Sequence, residues 1–444
     1  MRKVFRIILP LVGLLPALLS CDRSADPVAV DVSVAISFGG ESLQRAGASV
    51  YLADIAGVMT FESVTDAGGV ATFSVRPGVY TASCTYRTVE DGKRVAYNGT
   101  ASNITVGESG ETGYSVDVSR SESQQIIIKE LYCGGCAKDD GTGSYTDDSY
   151  VVLYNNSELE ADASDIQFGI LAPYNAHAGN RYVQSDGTLL YENDSWIPAA
   201  NAIWWFTSDG VKIPPYSSIT VVFFGAVDHT GTYSASVDLS SPDNYVMSNS
   251  GIAQFFNAKY VIADGIPTSH YLTCSPFSLG NCWVLSNNSP AFFIARATRE
   301  EGLRWSTNAA EYDHTQGASA SSNVVKYPKS NVVDAVEIWS AANAEKSQSR
   351  FPAELNTGSV LMTNYKGYAI YRNVDREATE ALPENDGLLV YGYSGGTLDS
   401  GGSTDPSGID AEASIAAGAH IIYSDTNNSP SDFHQRAVAS LKKK

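Results

Sequence analysis

The sequence has few basic side chains. Its 444 residues include 29 lysines and arginines against 49 aspartates and glutamates, which gives a formal net charge of −20. A phosphate backbone would repel such a chain, so we expect no nucleic-acid partner. Histidine and methionine are also scarce, with six and four residues, and none pair at a spacing typical of haem ligands. Hydrophobic residues make up 43% of the chain, which is enough for two or three folded domains.

Long apolar runs are lacking except at the start of the chain. Three positive side chains precede the apolar residues 7–19, and Leu-Leu-Ser then leads into Cys21. This pattern is typical of a secretory signal peptide, and its ending resembles the bacterial lipobox, in which the cysteine is acylated. We expect residues 1–20 to be removed, Cys21 to carry a lipid anchor and residues 21–27 to form a polar tether. Loss of three positive charges would change the formal charge from −20 to −23.

Cysteine is sparse, with five residues after the predicted anchor. An exported chain meets an oxidising compartment, so local disulfides are expected between near neighbours. The candidates are Cys133 with Cys136 and Cys274 with Cys282. The alternative is a zinc site built from the same two pairs. Because the count is odd, one thiol is left over, and Cys84 has the position of a buried core thiol in an alternating strand.

Helical periodicity is nearly absent. Short strand patterns separated by glycine, proline and aspartate turns fill residues 28–119, and their spacing indicates a small β-sandwich of the seven-stranded type. Residues 125–444 contain more strand patterns, so we predict a mostly β protein whose larger region is an elaborated sandwich, as one domain or two. The predicted strands of that region are residues 126–132, 150–157, 202–207, 218–225, 253–262, 282–285, 291–295, 332–339, 359–363, 368–372, 387–393 and 419–423. Short helices are expected at residues 298–303, 341–349 and 411–416.

The first sandwich resembles a known module. The resemblance rests on residues 47–52, 65–73 and 77–81, where short strands are joined by Asp-Ala-Gly-Gly and Pro-Gly turns. In this pattern the region is similar to the carboxypeptidase-regulatory-like, or prealbumin-like, modules. The resemblance implies a spacer or a binding platform and no catalysis.

The larger region resembles two further groups. Residues 126–132 and 154–157, with the patterns Ile-x-x-x-Glu-Leu-Tyr and Tyr-Asn-Asn-Ser, are similar to the start of lamin-tail-like sandwiches. Over residues 125–436 the chain resembles a family of bacterial lipoproteins known only as a domain of unknown function. The motifs of this second resemblance are residues 154–157, 333–339, 403–415, 420–429 and 432–436. It implies a lipoprotein of the Gram-negative envelope, often encoded near TonB-dependent outer-membrane receptors, and brings no activity with it.

Oxygen-bearing side chains concentrate near the C-terminus. Carboxylates and amides on a flexible loop are the ligands that calcium prefers. The candidate set is Asp425, Asn427, Asp432 and His434. Turn hydrogen bonds made by Asn and Asp side chains explain the same residues without an ion. Calcium is therefore a possible cofactor of this loop, and no other cofactor is indicated.

Aromatic residues are the second candidate for binding. Trp196, Trp204 and Trp205 could stack on a sugar, a porphyrin or a siderophore. Adjacent residues of a strand point to opposite faces, so at least one of Trp204 and Trp205 is expected in the core. Packing inside the protein is the alternative for the whole group.

A Gly-x-Ser-x-Gly motif occurs at residues 392–396 and could mark a serine hydrolase. Asp399, Asp405 or Asp410 and then His420 follow in the order found in α/β-hydrolases. The motif needs a strand, a sharp elbow and a helix, whereas a glycine-rich loop follows it here. A glycine-rich exit from a hairpin explains it better.

These observations leave three functional hypotheses. The first is a non-enzymatic lipoprotein, anchored to the outer membrane, that captures a small ligand or docks on a receptor in TonB-dependent uptake. The second is an adhesin or structural surface protein that binds host glycan or protein. The third is a metal-dependent hydrolase acting through the C-terminal carboxylates and His434. The first is preferred because the lipobox and the family resemblance both support it.

Overall fold

A computed structural model describes most of the chain. The described residues are 28–54, 59–90, 93–107, 112–122, 124–185, 187–252, 255, 260–277, 283, 285–308, 310, 312–313, 323–392 and 405–442. The predicted signal peptide, Cys21 and the predicted tether lie outside them, as do Cys282 and Ser394. The fold is mostly β with few short helices, which confirms the predicted class. It divides into two units, the described residues up to Arg87 with Tyr97–Arg120, and Thr88–Ala96 with the residues from Ser121 onward.

The first unit is a β-sandwich. Its strands are β1 (Val30–Phe38), β2 (Glu41–Ser42), β3 (Ser49–Asp54), β4 (Thr60–Val64), β5 (Val70–Val75), β6 (Gly78–Glu90), β7 (Lys93–Val106), β8 (Gly113–Asp117) and β9 (Ser119–Glu122). One sheet has the order β2–β1–β5 with β8 beside β1, and the other has the order β4–β3–β6–β7–β9. The described strands thus number nine rather than seven, since β2 and β9 are short additions, and parts of β6, β7 and β9 fall among the residues of the second unit.

Side-chain alternation explains this sandwich. In β5 every second residue, including Phe73, is buried while its neighbours are more exposed. The two sheets meet where the rings of Phe38 and Tyr97 pack edge to face, 5.7 Å between centroids. Cys84 is buried in this unit as a free thiol, as predicted, and burial raises its pKa to about 11.

The second unit contains the remaining strands and all four α-helices of the described residues. Its strands are β10 (Ile126–Tyr132), β11 (Cys136–Ala137), β12 (Ser144–Tyr145), β13 (Tyr150–Asn155), β14 (Ala161–Asp162), β15 (Ile166–Ile170), β16 (Trp196–Ala200), β17 (Ala202–Phe206), β18 (Lys212–Ile213), β19 (Ser218–Val222), β20 (Tyr245–Met247), β21 (Tyr271–Pro276), β22 (Ala291–Arg296), β23 (Tyr312–Asp313), β24 (Val324–Pro328), β25 (Val332–Ser340), β26 (Val360–Met362), β27 (Ala369–Arg372) and β28 (Phe433–Arg436). The helices are α1 (Arg299–Thr307), α2 (Arg376–Glu380), α3 (Ala411–Ala416) and α4 (Ser429–Asp432).

A twelve-stranded sheet dominates this unit, in the order β26–β25–β22–β15–β17–β21–β20–β19–β13–β10–β27–β28. The sheet curls until its two ends approach each other, and the backbone N–H of Thr363 donates to the side chain of Gln435 across the gap. Inside the curl, the backbone N–H of Ile128 in β10 donates to Asp334 of β25 at 2.7 Å. The nearly closed sheet therefore encloses a core of apolar side chains, among them Ile128, Trp204 and Phe292.

Three further apolar clusters cover the outer face of the curled sheet. One lies between β17 and β22 and the small sheet β16–β24–β23 and contains Trp205 and Phe293. A second contains Tyr132 and Ala439, and a third contains Tyr371 with residues 409–423. Because both faces of the sheet are covered, its strands are apolar on both sides, and every residue of β10 and β13 is buried.

Two predicted strands near the C-terminus are wrong. The described part of residues 387–393 is turn and irregular backbone with one isolated bridge at Tyr391, and residues 419–423 form no strand. The apolar side chains of residues 421–423 are buried against the large sheet, as a strand pattern would require. Their backbone N–H groups, however, donate to side chains: Ile422 to Thr379 at 3.0 Å and Tyr423 to Asn156 at 2.9 Å.

The short helices follow their local signals. α1 begins after Thr298, which forms a capping box with Glu301, and α3 begins after Asp410, whose carboxylate accepts from the backbone N–H of Ala413. α3 lies at the predicted residues 411–416, α1 runs four residues beyond the predicted 298–303, and residues 341–346 form a 3-10 helix within the predicted range 341–349. No helix within the described ranges is long and apolar enough to cross a membrane.

Candidate functional site

Two of the four predicted calcium ligands surround an arginine. Arg372 of β27 is fully buried, and its Nη1 lies 3.3 Å from Asp425 Oδ1 and 4.0 Å from Asp432 Oδ2. Its Nη2 pairs with Asp334, and its Nε donates to the carbonyl of Ile128 at 2.7 Å. The cation that these carboxylates face is therefore a guanidinium of the protein itself.

The other two predicted ligands lie apart from this cluster. His434 is buried with its Nδ1 2.6 Å from Asn373 Oδ1, and burial lowers its pKa to about 3. Asn427 lies in the loop before α4 and donates through Nδ2 to the carbonyl of Glu354 at 3.3 Å. No group of three or more His, Cys, Asp or Glu side chains in the described ranges is arranged to hold a metal ion. The calcium set therefore needs correction, because its members do not fit a shared ion.

The Arg372 cluster predicts a pH dependence of stability. Burial, and then the charge of Asp334, raises the pKa of Asp425 to about 7, so the folded state binds a proton more tightly there than the unfolded state does. This stabilisation is complete below the ordinary pKa of 3.8 and is lost as the pH rises through about 7. The free energy of unfolding, measured with a chemical denaturant, should therefore fall between pH 5 and pH 8. We expect this fall to be smaller in Asp425→Asn than in the unchanged protein, by at least about 1 kcal/mol.

The exposed carboxylate Asp264 gives the matched control. Asp264→Asn should keep the slope of the unchanged protein. Parallel pH profiles for the Asp425→Asn variant and the unchanged protein would contradict the assignment of this slope to Asp425.

The predicted stacking tryptophans are used inside the protein. Trp204 and Trp205 are 0% and 3% exposed and lie on opposite faces of β17. At least one of them was expected in the core, and both are buried there. Trp196 is partly buried, with the ring of Tyr191 at 5.6 Å and Nζ of Lys326 at 5.1 Å from its own centroid. A ligand-stacking role for Trp204 and Trp205 needs correction, because neither has a face open to a ligand.

The predicted Cys133–Cys136 disulfide is also absent from this structure. Both residues are free and buried. Cys133 faces the inner core, and its sulfur lies 3.9 Å from that of Met362. The Cys136 side chain instead forms hydrogen bonds with the side chains of Ser236 and Asp148. Burial raises the pKa of both thiols, that of Cys136 to about 12, so neither is reactive at neutral pH.

The second predicted disulfide cannot be followed in the structure. Cys274 is buried in β21, and Cys282 lies outside the described residues. The pairing of Cys274 with Cys282 therefore stays a prediction.

The residues considered for a hydrolase have separate structural roles. His420 stacks on Tyr216 with 4.6 Å between ring centroids, Asp410 caps α3, and Asp405 accepts from the backbone N–H of Val374 at 3.1 Å. Ser394 and Asp399 lie outside the described residues. The described partners therefore do not form a catalytic constellation.

A polar groove on the second unit combines side chains from separate segments. It has a volume of about 660 Å³. Its lining residues are Glu192, Asn193, Asp194, Ser195, Lys329, Ser330, Val332, Glu354, Leu355 and Asn427. We call this feature the polar groove. It contains Asn427 from the predicted calcium set and none of the three tryptophans proposed for stacking.

Strand pairing explains how two walls of the polar groove meet. β16 and β24 are antiparallel partners with Trp196 opposite Pro328. Residues 192–195 run into β16, and Lys329 follows β24 directly, so these segments lie side by side. The backbone N–H of Lys329 donates to the carbonyl of Ser195 at 3.0 Å and closes this end of the groove.

Lys329 forms the charged centre of the polar groove. Its side chain is 7% exposed, and its Nζ donates to the carbonyl of Glu192 at 2.6 Å and pairs with Glu354 Oε1 at 2.7 Å. Glu192 in turn accepts from the backbone N–H of Ala353 at 3.0 Å. The lysine thereby links three segments that are distant in sequence and holds the lining in a defined arrangement.

Comparison with known proteins gives one family match. Residues 215–390 match the family model described as "Protein of unknown function (DUF4876)". The matched range includes Lys329 and Glu354 of the polar groove. The match agrees with the resemblance to a family of unknown function and adds no activity, while the regulatory-like and lamin-tail-like resemblances stay predictions. A search of curated proteins gave no match.

Solved structures give distant similarities. A crystal structure of a DUF4876 family protein from Bacteroides thetaiotaomicron VPI-5482 covers 92% of this chain and 96% of its own, at 18% identity and a TM-score of 0.49. A DUF3823 family protein from Parabacteroides merdae ATCC 43184 covers 34% of this chain and 69% of its own, at 12% identity and a TM-score of 0.16.

Proposed function

We propose that the protein is a non-enzymatic binding protein of the cell envelope whose second unit captures a small polar ligand. The polar groove supports this proposal. Its volume of about 660 Å³ lies in the range of small-molecule sites, about 300–1,000 Å³. At its centre, Lys329 is held by Glu192 and Glu354, so this side chain has little order to gain on binding.

The place of action in this proposal is the outer membrane. Residues 1–20 have the pattern of an export signal, and Cys21 stands where a lipobox cysteine is acylated. The first unit would act as a spacer between the lipid and the second unit. Passing the captured ligand to an outer-membrane receptor is the proposed consequence, and its support is the family resemblance.

Blocking the polar groove tests ligand capture. Ser195 is exposed and lines the groove, so Ser195→Trp should fill it while leaving the Ser195 carbonyl bonded to Lys329. We expect thermal unfolding of the full chain to shift upward with at least one probe among neutral oligosaccharides, spermidine, haem, cyanocobalamin and inorganic phosphate. In Ser195→Trp that shift should disappear.

Thr232→Trp, an exposed position outside the polar groove, should keep the shift and is the matched control. No shift with any probe, or an equal shift in Ser195→Trp, would rule out capture in this groove.

Removal of the acylated thiol tests the anchor. Cells that express the protein with labelled palmitate should incorporate label into the unchanged chain and none into Cys21→Ser, which should leave the membrane fraction. Cys84→Ser is the control, because Cys84 is a buried thiol and should not affect labelling. Membrane retention of Cys21→Ser without label would contradict the proposed anchor.

A further inference from the structure

In the polar groove, the ammonium group of Lys329 has one N–H more than it has acceptors among the described residues. An ammonium group has three N–H bonds. Within the described residues, Lys329 Nζ has two acceptors, the carbonyl of Glu192 and the carboxylate of Glu354. The third N–H belongs to a side chain that is 7% exposed and lines the groove, so a bound molecule can satisfy it with an oxygen.

The charge of the lining restricts which oxygen can bind. Glu354 balances the charge of Lys329, which leaves Glu192 and Asp194 as further carboxylates in the lining. A phosphate, sulfate or carboxylate ligand would meet this negative surplus at close range. The acceptor for Lys329 is therefore expected on an uncharged group.

The other lining groups require hydrogen-bond donors on the ligand. Asp194 accepts hydrogen bonds only, and Asn193, Ser195 and Asn427 can accept as well as donate. A simple amine could satisfy Asp194 but has no lone pair for Lys329 when protonated. Hydroxyl groups both donate and accept, so a ligand with several hydroxyls matches both kinds of partner.

Apolar side chains complete this match. Val332 and Leu355 are half-buried in the lining of the polar groove. They offer a surface for C–H groups between polar neighbours, which suits a sugar ring with its apolar face and polar rim. We propose that the polar groove binds a neutral oligosaccharide, with Lys329 donating to a ring or hydroxyl oxygen and Asp194 accepting from hydroxyls. This inference rests on the proposed ligand capture and names its ligand class.

The walls of the polar groove are ordered for such a ligand. The carbonyl of Asn427 accepts from the backbone N–H of Thr357 at 2.8 Å, and its side-chain amide donates to the carbonyl of Glu354 at 3.3 Å. Lys329 is fixed by its own partners. Lys329 and Asn427 therefore lose little further conformational freedom when a sugar binds.

Calorimetric titration of the full chain tests the ligand class. The probes are cellobiose, maltotriose and chitobiose, with spermidine and inorganic phosphate as charged probes. We expect at least one sugar to bind and the charged probes not to bind. Lys329→Met removes the donor, and Asp194→Ala removes the exposed acceptor, and each should weaken sugar binding about tenfold, the effect of one lost hydrogen bond. Glu345→Gln, an exposed substitution outside the groove, should have no effect.

The outcomes separate the two proposals. Weaker sugar binding in Asp194→Ala supports both ligand capture and the carbohydrate inference. Asp194 is exposed, so its substitution should not disturb folding. Binding of spermidine or phosphate but of no sugar overturns the carbohydrate inference and leaves ligand capture intact. Sugar binding that is unchanged in both groove variants also overturns the inference. Absence of binding by every probe, charged or neutral, counts against ligand capture itself.

Discussion

Arg372→Met is expected to lower the free energy of unfolding by about 3–5 kcal/mol, the cost of leaving a buried charge without its partner. The guanidinium is fully buried and pairs with Asp334 and Asp425. It also donates to the carbonyls of Ile128 and Ser424, at 2.7 and 2.9 Å. Methionine fills a similar volume but leaves these acceptors in an apolar interior without a donor.

Urea unfolding at pH 7 measures this loss, and Arg376→Met provides the control. Arg376 lies close to Arg372 in the sequence, at the start of α2. Its side chain, however, is 57% exposed and pairs with Glu380 at the surface. That substitution should change the free energy of unfolding by about 0.5 kcal/mol or less. A cost for Arg372→Met as small as that of the control would show that the cluster contributes nothing to stability.

Arg350→Met is expected to have the second large effect, again about 3–5 kcal/mol. Arg350 and Glu337 are both 0% exposed and are joined through Nε at 2.9 Å and Nη2 at 2.6 Å. Arg350 also donates to the carbonyls of Pro173 and Ser289, at 2.9 and 2.8 Å. Its removal leaves the Glu337 carboxylate buried and uncompensated, and burial already raises the pKa of that group.

A double-mutant cycle with Glu337→Gln isolates the charge contribution. Gln has no charge to bury, so Arg350→Met should cost less in the Glu337→Gln background than alone, by about 1 kcal/mol or more. Equal costs in both backgrounds would mean that lost packing and carbonyl bonds, rather than the stranded carboxylate, account for the effect.

The β-rich fold could be predicted because its cause is local. β10 and β13 are continuous apolar runs bounded by turns, and a sheet covered on both faces produces that pattern. α3 could be predicted because Asp410 caps it. The strand predicted at residues 419–423 is wrong because an apolar pattern indicates burial and not strand pairing. These residues are buried by packing on the sheet. Side chains, rather than a neighbouring strand, accept the backbone N–H groups of Ile422 and Tyr423.

The buried charges and the polar groove could not be predicted because their causes are long-range. Asp334 and Asp425 lie 38 and 53 residues from Arg372, and no local signal pairs them. For the acidic residues near the C-terminus, a calcium loop and turn hydrogen bonds were the two alternatives, and neither includes the ion pair of Asp425 with Arg372. Lys329 and Glu354 of the polar groove had no distinguishing pattern, and only the pairing of β16 with β24 brings residues 192–195 to Lys329.

The order of strands in the large sheet has a consequence for synthesis of the chain. β10, the first strand of the large sheet along the chain, has β13 on one side and β27 on the other, and β28 then covers the open edge of β27. Residues 126–132 therefore cannot obtain all their partners until the chain has been made as far as β27, where Tyr371 pairs with Glu130. A chain cut short before residue 433 would keep an unpaired edge at β27, the kind of surface that recruits other strands. Completion of the last strand thus moves the open edge of the sheet from β27 to β28, where Gln435 accepts from the backbone N–H of Thr363 beyond β26.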